Sequence, residues 1–464
     1  MKPKGVIFFQ VDQHRRDCLG HTGHNGHVYV QTPNLDRLAA EGMQFSRAYC
    51  PTPMCVPTRA TYLCGQWPMQ HGVLNNWDSE SPVFLDPQRP TWARTLGNYG
   101  QSTDYIGRWH VRPDLGATDF GFTTDLPDWK YGKWREAEGI PPVPKANGLW
   151  GEVDPHITPA QSKVAWTVDR IIEAVKERTE QGEHFCIRAE TIEPHLPCRP
   201  PASLMEAFPV KDIPPWGSFY DTFEGKPYAQ AQQLRTWNIE SWTWDDWAPV
   251  VARYLAEIAN IDLQIGRLLD YLDEAGLVED TLVIYTADHG DMCGGHRMID
   301  KHNIMYDDVV RVPLLMRWPR QIAPGSQTEA FVINSIDLPP TFCDVFGVQP
   351  PASFSGKSLL PLMRGEGGEF RQSVYSTYHG NQFGPYSQRM VADRRYKYIW
   401  NPTAEDEFYD LERDPNELHN RATDPACQEL LAQMRRRLIR WLEETDDRLL
   451  NRWTRAQLEN GWKV

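Results

Sequence analysis

Two short apolar runs, Gly5–Val11 (GVIFFQV) and Thr281–Ala287 (TLVIYTA), constrain the fold more than any other feature of the chain. Each is nearly continuous rather than alternating, the pattern of a strand covered by helices on both faces, which is characteristic of parallel sheets in α/β proteins. The first run ends on Asp12-Gln13 and the second on Asp288-His289-Gly290. Ligands of open α/β sheets gather at the carboxyl ends of the strands, so both acidic ends stand where a site would form. Capping of the next segment is the ordinary alternative for an Asp after a strand.

Between the two runs, the stretch Cys50–Gly65 (CPTPMCVPTRATYLCG) sets the thiol of Cys55 just ahead of a proline, the hydroxyl of Thr58 and the guanidinium of Arg59. Residues 60–63 continue as helix and Gly65 stops it, so Cys55 lies at a helix N-terminus, where negative charge is favoured. The run resembles the Cys-x-Pro-Ser/Thr-Arg signature of the sulfatase family, and Leu63-Cys64-Gly65 and His71-Gly72-Val73 stand where that family has Leu-x-Gly and His-Gly. The resemblance implies that Cys55 is oxidised to formylglycine, whose hydrate is the nucleophile, and that a formylglycine-generating enzyme is a partner during maturation. For an isolated Cys the competing reading is a buried structural thiol.

Other motifs extend the resemblance. Thr32–Gly42 reads as a capped helix, Thr91–Gly100 as another, and Ser102–Ile106 as a strand entering Gly107-Arg108-Trp109-His110, where the family has Gly-Lys-Trp-His. Arg108 keeps the charge of that lysine but offers a planar, bidentate donor. By the resemblance, His110 handles protons beside the nucleophile. Ala165–Arg178 is an amphipathic helix, and Phe185–Ala189 is a strand leading to His195 in Pro194-His195-Leu196-Pro197, similar to the family's Pro-His-x-Pro, whose His contacts the sulfate or leaving group. Lys301, ahead of Arg311-Val312-Pro313, matches the family lysine that binds the transferring group.

From about residue 123 to 247 the chain is broken by prolines and rich in tryptophan, including Trp129, Trp150, Trp216, Trp242, Trp244 and Trp247. Ordered loops over the sheet are expected there. Their Trp faces would stack on a sugar or hold a quaternary ammonium, or simply pack. Ala252–Leu277 has apolar residues at three- and four-residue steps and reads as scaffold helix. Near the end, Tyr396–Trp400 and Glu407–Pro415 look like the antiparallel hairpin of the sulfatase C-terminal subdomain, with a helix over Cys427–Glu444.

Composition bounds what remains. A net charge of −14 argues against a nucleic-acid groove. No apolar run approaches membrane-spanning length or forms a signal-peptide core, so no membrane partner and a cytoplasmic location are expected. Nine cysteines without regular spacing fit reduced thiols rather than a disulfide framework, and Cys50, Cys55 and Cys64 lack the spacing of a metal cluster.

The expected fold is therefore α/β: a large mixed, mostly parallel sheet flanked by helices, alkaline phosphatase-like, with a smaller C-terminal α+β subdomain carrying an antiparallel sheet and a helix. The boundary is placed near Gly365–Gly368, giving a catalytic domain over 1–366 and a subdomain over 367–464. The resemblance implies one divalent ion held by Asp12, Gln13, Asp288, His289 and an oxygen on modified Cys55. Ca²⁺ is the family expectation, and Mn²⁺ competes because Gln13 removes a charge and His289 adds a nitrogen. Arg59, Arg108 and Lys301 would offset charge on the transferring group, His195 would assist the leaving group, and His110 would take the proton that releases the product. The substrate expected is a small-molecule or saccharide sulfate ester. Phosphonate monoester or phosphodiester hydrolysis is the second reading and an anion-binding protein with unmodified Cys55 the third; Gly-Arg-Trp-His favours the first. A homo-oligomer is left open.

Overall fold

The two apolar runs form strands that lie side by side in register, Val6 against Leu282 and Val11 against Ala287. The computed structural model describes residues 2–23, 27–77, 82–301, 304–366, 368–380, 386–461 and 463. Its strands, in chain order, are β1 (Gly5–Asp12), β2 (Met43–Phe45), β3 (Ala48–Tyr49), β4 (Asp104–Gly107), β5 (Thr124–Pro127), β6 (Phe185–Pro194), β7 (Thr281–Ala287), β8 (Leu314–Arg317), β9 (Ser326–Thr328), β10 (Val332–Ile333), β11 (Val374–Gly380), β12 (Tyr386–Ala392), β13 (Tyr396–Trp400) and β14 (Glu407–Asp410). The main sheet has eight strands in the order β5-β4-β6-β1-β7-β8-β2-β9. Its centre is parallel, and β8 runs antiparallel to both β7 and β2, so the sheet is mixed and mostly parallel.

This order brings the carboxyl ends of β4, β6, β1 and β7 to one edge. Asp12 ends β1 beside Pro194 of β6, and Gly107 of β4 pairs with Glu190 of β6. Gly107 adopts φ +105°, and a Cβ there would stand 1.9 Å from the Glu190 carbonyl oxygen. Only glycine permits that approach, which lets the Arg108 N–H reach the same carbonyl at 2.9 Å.

Helices cover both faces. On one, Phe8 packs on Tyr62 of the Cys55–Cys64 helix at 5.4 Å and on Phe342 of the Asn334–Val345 helix at 5.3 Å. On the other, Lys163–Glu180 and Pro33–Ala40 pack against the helix Trp244–Glu274. That helix starts two turns before the expected Ala252. Thr243 caps it by donating its N–H and hydroxyl to Asp246 at 2.8 and 2.9 Å, and Pro249 sits inside it; its first residues, 244–247, fall where loops were expected.

The tryptophan-rich segment is also less open than expected. Trp216 and Trp247 are buried, Trp150 lies 4.3 Å from Trp242, and Trp242 lies 5.0 Å from Trp247, so these rings pack on one another; Trp129 is exposed. The helix Tyr228–Thr236 also forms here, where loops were expected.

The C-terminal sheet is four-stranded and antiparallel, in the order β11-β12-β13-β14. The β13–β14 hairpin stands as expected, while β11, β12 and the helix Arg452–Asn460 were not foreseen. The helix Gln428–Glu444 lies on this sheet, with Trp441 stacked on Tyr375 at 4.7 Å and edge-on to Trp67 at 4.9 Å. In β11, the Thr377 N–H donates to the Pro51 carbonyl at 2.8 Å, fastening the sheet to the loop that precedes Cys55. The expected boundary brackets Gly367, and the expected lysine-bearing run includes His302 and Asn303; these three lie outside the described residues. Among the described residues no helix is long and apolar enough to cross a membrane.

Candidate active site

Cys55 is the first residue of a helix buried along its whole length, preceded by extended Met54 and closed by Gly65 at φ +59°. The loop before it is pinned when the Thr58 hydroxyl donates to the Thr52 carbonyl at 2.7 Å, and the Val56 N–H donates to Asn76 at 3.1 Å. His71 braces the helix from the side: its Nδ1 accepts the Val73 N–H at 3.1 Å, which leaves Nε2 to donate to the Thr61 hydroxyl oxygen at 3.0 Å. Burial, then the charge of Arg89, lowers His71 to about 3, in keeping with a neutral, structural ring.

Arg59 joins three strand ends. Its Nη2 donates to Asp12 at 2.9 Å, its Nη1 to Asp288 at 2.8 Å and its Nε to Glu190 at 2.8 Å, and all four side chains are fully buried. Arg108 adds a further bond to Asp12 at 2.8 Å and is 16% exposed, so it alone of the two guanidiniums reaches the open side. Burial would raise the Asp12 carboxyl, but the charges of Arg59, His195 and Arg108 outweigh it and hold Asp12 well below the usual carboxylate range.

The donor atoms of Asp12, Cys55, Asp288 and His289 all lie within 4.8 Å of one another. His289 Nε2 is 3.2 Å from Cys55 Sγ and 3.6 Å from Asp288. Its Nδ1 donates to the Gly290 carbonyl at 2.9 Å, which leaves the Nε2 lone pair facing the cluster. Gln13 occupies a left-handed backbone position at φ 66°. Its amide nitrogen donates to Asp300, while its buried Oε1 has no hydrogen-bond partner. Two carboxylates, an imidazole nitrogen whose lone pair faces them and, on the residue after Asp12, an amide oxygen without a partner fit a divalent cation, which would satisfy that oxygen.

Three cationic or imidazole groups complete the centre. Lys301 Nζ donates to Asp300 at 2.9 Å and to His195 Nε2 at 3.2 Å. Burial alone would lower Lys301, but Asp300, Cys55 and Asp12 raise it far above its ordinary value, so it keeps its proton. The other ring nitrogen of His195 lies against the Leu196 carbonyl, consistent with Nδ1–H donating and Nε2 accepting. His110 accepts from Arg108 at Nδ1, 3.2 Å away, and has Trp77 edge-on at 4.5 Å. Burial first, then Arg108 and Arg59, hold His110 well below the usual histidine value and therefore neutral.

The family model described as Sulfatase matches residues 4–348. The chain belongs to the sulfatase family. A second model, N-sulphoglucosamine sulphohydrolase, C-terminal, matches residues 294–444. The sulfatase is similar to an arylsulfatase of Clostridium perfringens, 29% identical over 96% of each chain, and to a choline-sulfatase of Rhizobium meliloti, 26% identical over 86% of this chain and 78% of the other. In structure it is similar to a phosphonate monoester hydrolase of Agrobacterium radiobacter, with a TM-score of 0.82 and 25% identity over 96% of both chains.

Whereas Trp150, Trp242 and Trp247 pack on one another, Asp12, Gln13, Cys55, Arg59, Arg108, His110, His195, Asp288, His289 and Lys301 are joined by these contacts at one edge of the sheet. Two that the sequence reading missed hold the others: Glu190, which binds Arg59 and touches Arg188, and Asp300, which binds both Gln13 and Lys301. Glu190 sits inside an apolar strand, where a charge needs a partner, and that was the available signal.

Proposed function

We propose that this sulfatase cleaves sulfate esters of small molecules or saccharides with a nucleophile made from Cys55 by oxidation to formylglycine, and that Asp12, Gln13, Asp288 and His289 hold one divalent ion beside it. The reading rests above all on the clustering of the Asp12, Cys55, Asp288 and His289 donor atoms, with the His289 Nε2 lone pair among them, and on the buried, unpartnered Oε1 of Gln13, the residue next to Asp12. Bound there, the ion supplies Lewis-acid charge, and the aldehyde hydrate supplies one hydroxyl to attack sulfur and a second whose deprotonation releases sulfate by elimination.

The protein's own groups do the rest. Lys301 and Arg108 flank the centre as permanent positive charge, aimed at the oxygens of the transferring group. Arg59 spends its donors on Asp12, Asp288 and Glu190, so its part is to hold the ligand carboxylates in place. His195, hydrogen-bonded to Lys301, assists the leaving group, and neutral His110 accepts the proton of the second hydroxyl. Asp12, Asp288, Glu190 and Asp300 are matched by Arg59, Arg108, Arg188 and Lys301, so a divalent ion leaves the centre positive and suited to an anionic ester.

Ca²⁺ is the expected ion, and Mn²⁺ is the alternative because His289 offers a nitrogen donor. Residues 1–366 form the catalytic unit in this reading and 367–464 the subdomain fastened to the Cys55 loop. Nine buried, unpaired cysteines support a reducing compartment, the cytoplasm. Phosphonate monoester hydrolysis is the second reading, favoured by the structural likeness to the Agrobacterium enzyme.

Peptide mass spectrometry across Cys55 on protein from its native host, with turnover of paired aryl sulfate and aryl phosphonate monoesters, tests both. Aldehyde with faster sulfate turnover is expected. Aldehyde with faster phosphonate turnover moves the assignment to the second reading, and a plain thiol with neither activity overturns both.

A further inference from the structure

A cavity of about 440 Å³ lies between the loop that follows β1 and the C-terminal sheet, and none of the residues lining it belongs to the cluster around Cys55. Its acids are already committed. Asp307 is paired with Lys397 at 2.6 Å and Arg311 at 3.3 Å, Asp17 and Asp308 with Arg15 at 2.7 and 2.9 Å, and Glu412 with Arg395 at 3.4 Å. Arg311 is further tied to the Ser46 carbonyl at 3.1 Å.

Arg16, which lines the same cavity, differs from every cation around it: its guanidinium makes no hydrogen bond or ion pair with another described residue, and its buried Nε has no acceptor. Burial first, then the like charge of Arg311, lowers it to about 10, so it still carries its proton at neutral pH. Arg16 is partly buried, its Nε is shut away from water without an acceptor, and a second guanidinium lines the same cavity; an anion joining the two would relieve both conditions. The planar fork of arginine matches two oxygens of a tetrahedral oxoanion.

We infer that this cavity is a second, non-catalytic site that takes a sulfate or phosphate group between Arg16 and Arg311. The cavity exceeds by far the roughly 30 Å³ that a water occupies in the liquid, so there is room for a free oxoanion or for one carried on a larger molecule such as a saccharide. The two sources share the same recognition chemistry and separate by experiment.

Crystals of the wild-type protein soaked in selenate should show an anomalous selenium peak in contact with Arg16 and Arg311, and crystals of Arg16→Met should lose it while any peak beside Cys55 stays. Isothermal titration then compares the two proteins. Loss of one class of sites for inorganic sulfate in Arg16→Met identifies a free oxoanion, and loss seen only with a sulfated disaccharide identifies a carried sulfate group. With no selenium peak in the cavity and no Arg16-dependent binding of either ligand, the inference is overturned, as it is by a peak that persists unchanged in Arg16→Met. The variant should melt no lower than wild type in sulfate-free buffer and keep kcat/KM for an aryl sulfate. The wild-type selenate map decides the matter should Arg16→Met fail to fold.

Discussion

Two buried clusters of charge, one around Arg59 and one around Lys397, are made of the same parts and left in opposite conditions. Lys397 is closed: its ammonium meets Asp307 at 2.6 Å, Glu417 at 2.7 Å and the Met305 carbonyl at 3.1 Å, and Glu417 also accepts the Asp307 N–H at 2.7 Å. Around Arg59, three carboxylates share one guanidinium, and Asp12 and Asp288 also stand within reach of Cys55 and His289. A closed cluster fastens the C-terminal strands to the rest of the chain, whereas one with donor capacity to spare can bind something else. Burial of charge is common to both; surplus coordination marks the site.

Replacing the thiol should have the largest effect. Cys55→Ala should lower turnover by about 10⁴-fold or more and leave the melting temperature near that of wild type, because neither ion cluster loses a member. Undiminished turnover would sink the formylglycine reading. Next come the two cluster centres. Arg59→Met and Lys397→Met each strand buried carboxylates and should each cost about 3–5 kcal/mol by denaturant unfolding. They should part in activity: the folded fraction of Lys397→Met keeps its kcat, and that of Arg59→Met does not. Equal loss of activity in both would break the distinction between fastening and site.

Arg108→Ala should lower kcat/KM by roughly 10²-fold with a stability change of about 1 kcal/mol or less, since the side chain is partly exposed and Asp12 keeps Arg59. A stability loss matching that of Arg59→Met would place Arg108 among the structural ions instead. The smallest effect is one of pH. Glu257, outside both clusters, accepts the Arg199 N–H at 2.9 Å and is pushed up to about 8 by burial and then by Glu193. A carboxyl whose folded value exceeds its ordinary 4.5 keeps its proton longer in the folded chain. Its stabilising contribution is full below pH 4.5 and is lost as pH rises to about 8. Urea unfolding at both ends of that range should show Glu257→Gln losing less stability than wild type, by up to a few kcal/mol. Parallel slopes would remove Glu257 as the cause.

What the sequence disclosed were features carried by local pattern. The acids at the ends of β1 and β7 and the helix from Cys55 to its left-handed Gly65 stand where local pattern put them, whereas His110 and His195 were picked out by the family resemblance alone. What it concealed depends on contacts made across the fold. Glu190 acquires its meaning only when Arg59, 131 residues away, turns toward it. Asp300 is an ordinary loop acid until Gln13 and Lys301 meet on it. The helix start is hidden in the same way: the Thr243–Asp246 cap begins it two turns before the apolar steps that make it legible, with Pro249 inside it. The tryptophans gave no face to the sequence reader because aromatic residues suit a core and a binding surface alike.

The close approach at Gly107 fixes what heredity can do with its neighbour. Any side chain at 107 would collide with the Glu190 carbonyl and push β4 away from β6, so drift is closed at that position. Arg108, one step along and partly in the open, can be exchanged for lysine or another donor without disturbing the strand that presents it. A position that admits glycine alone, beside one that other donors could fill, offers a place where recognition can change while the machinery behind it stays put.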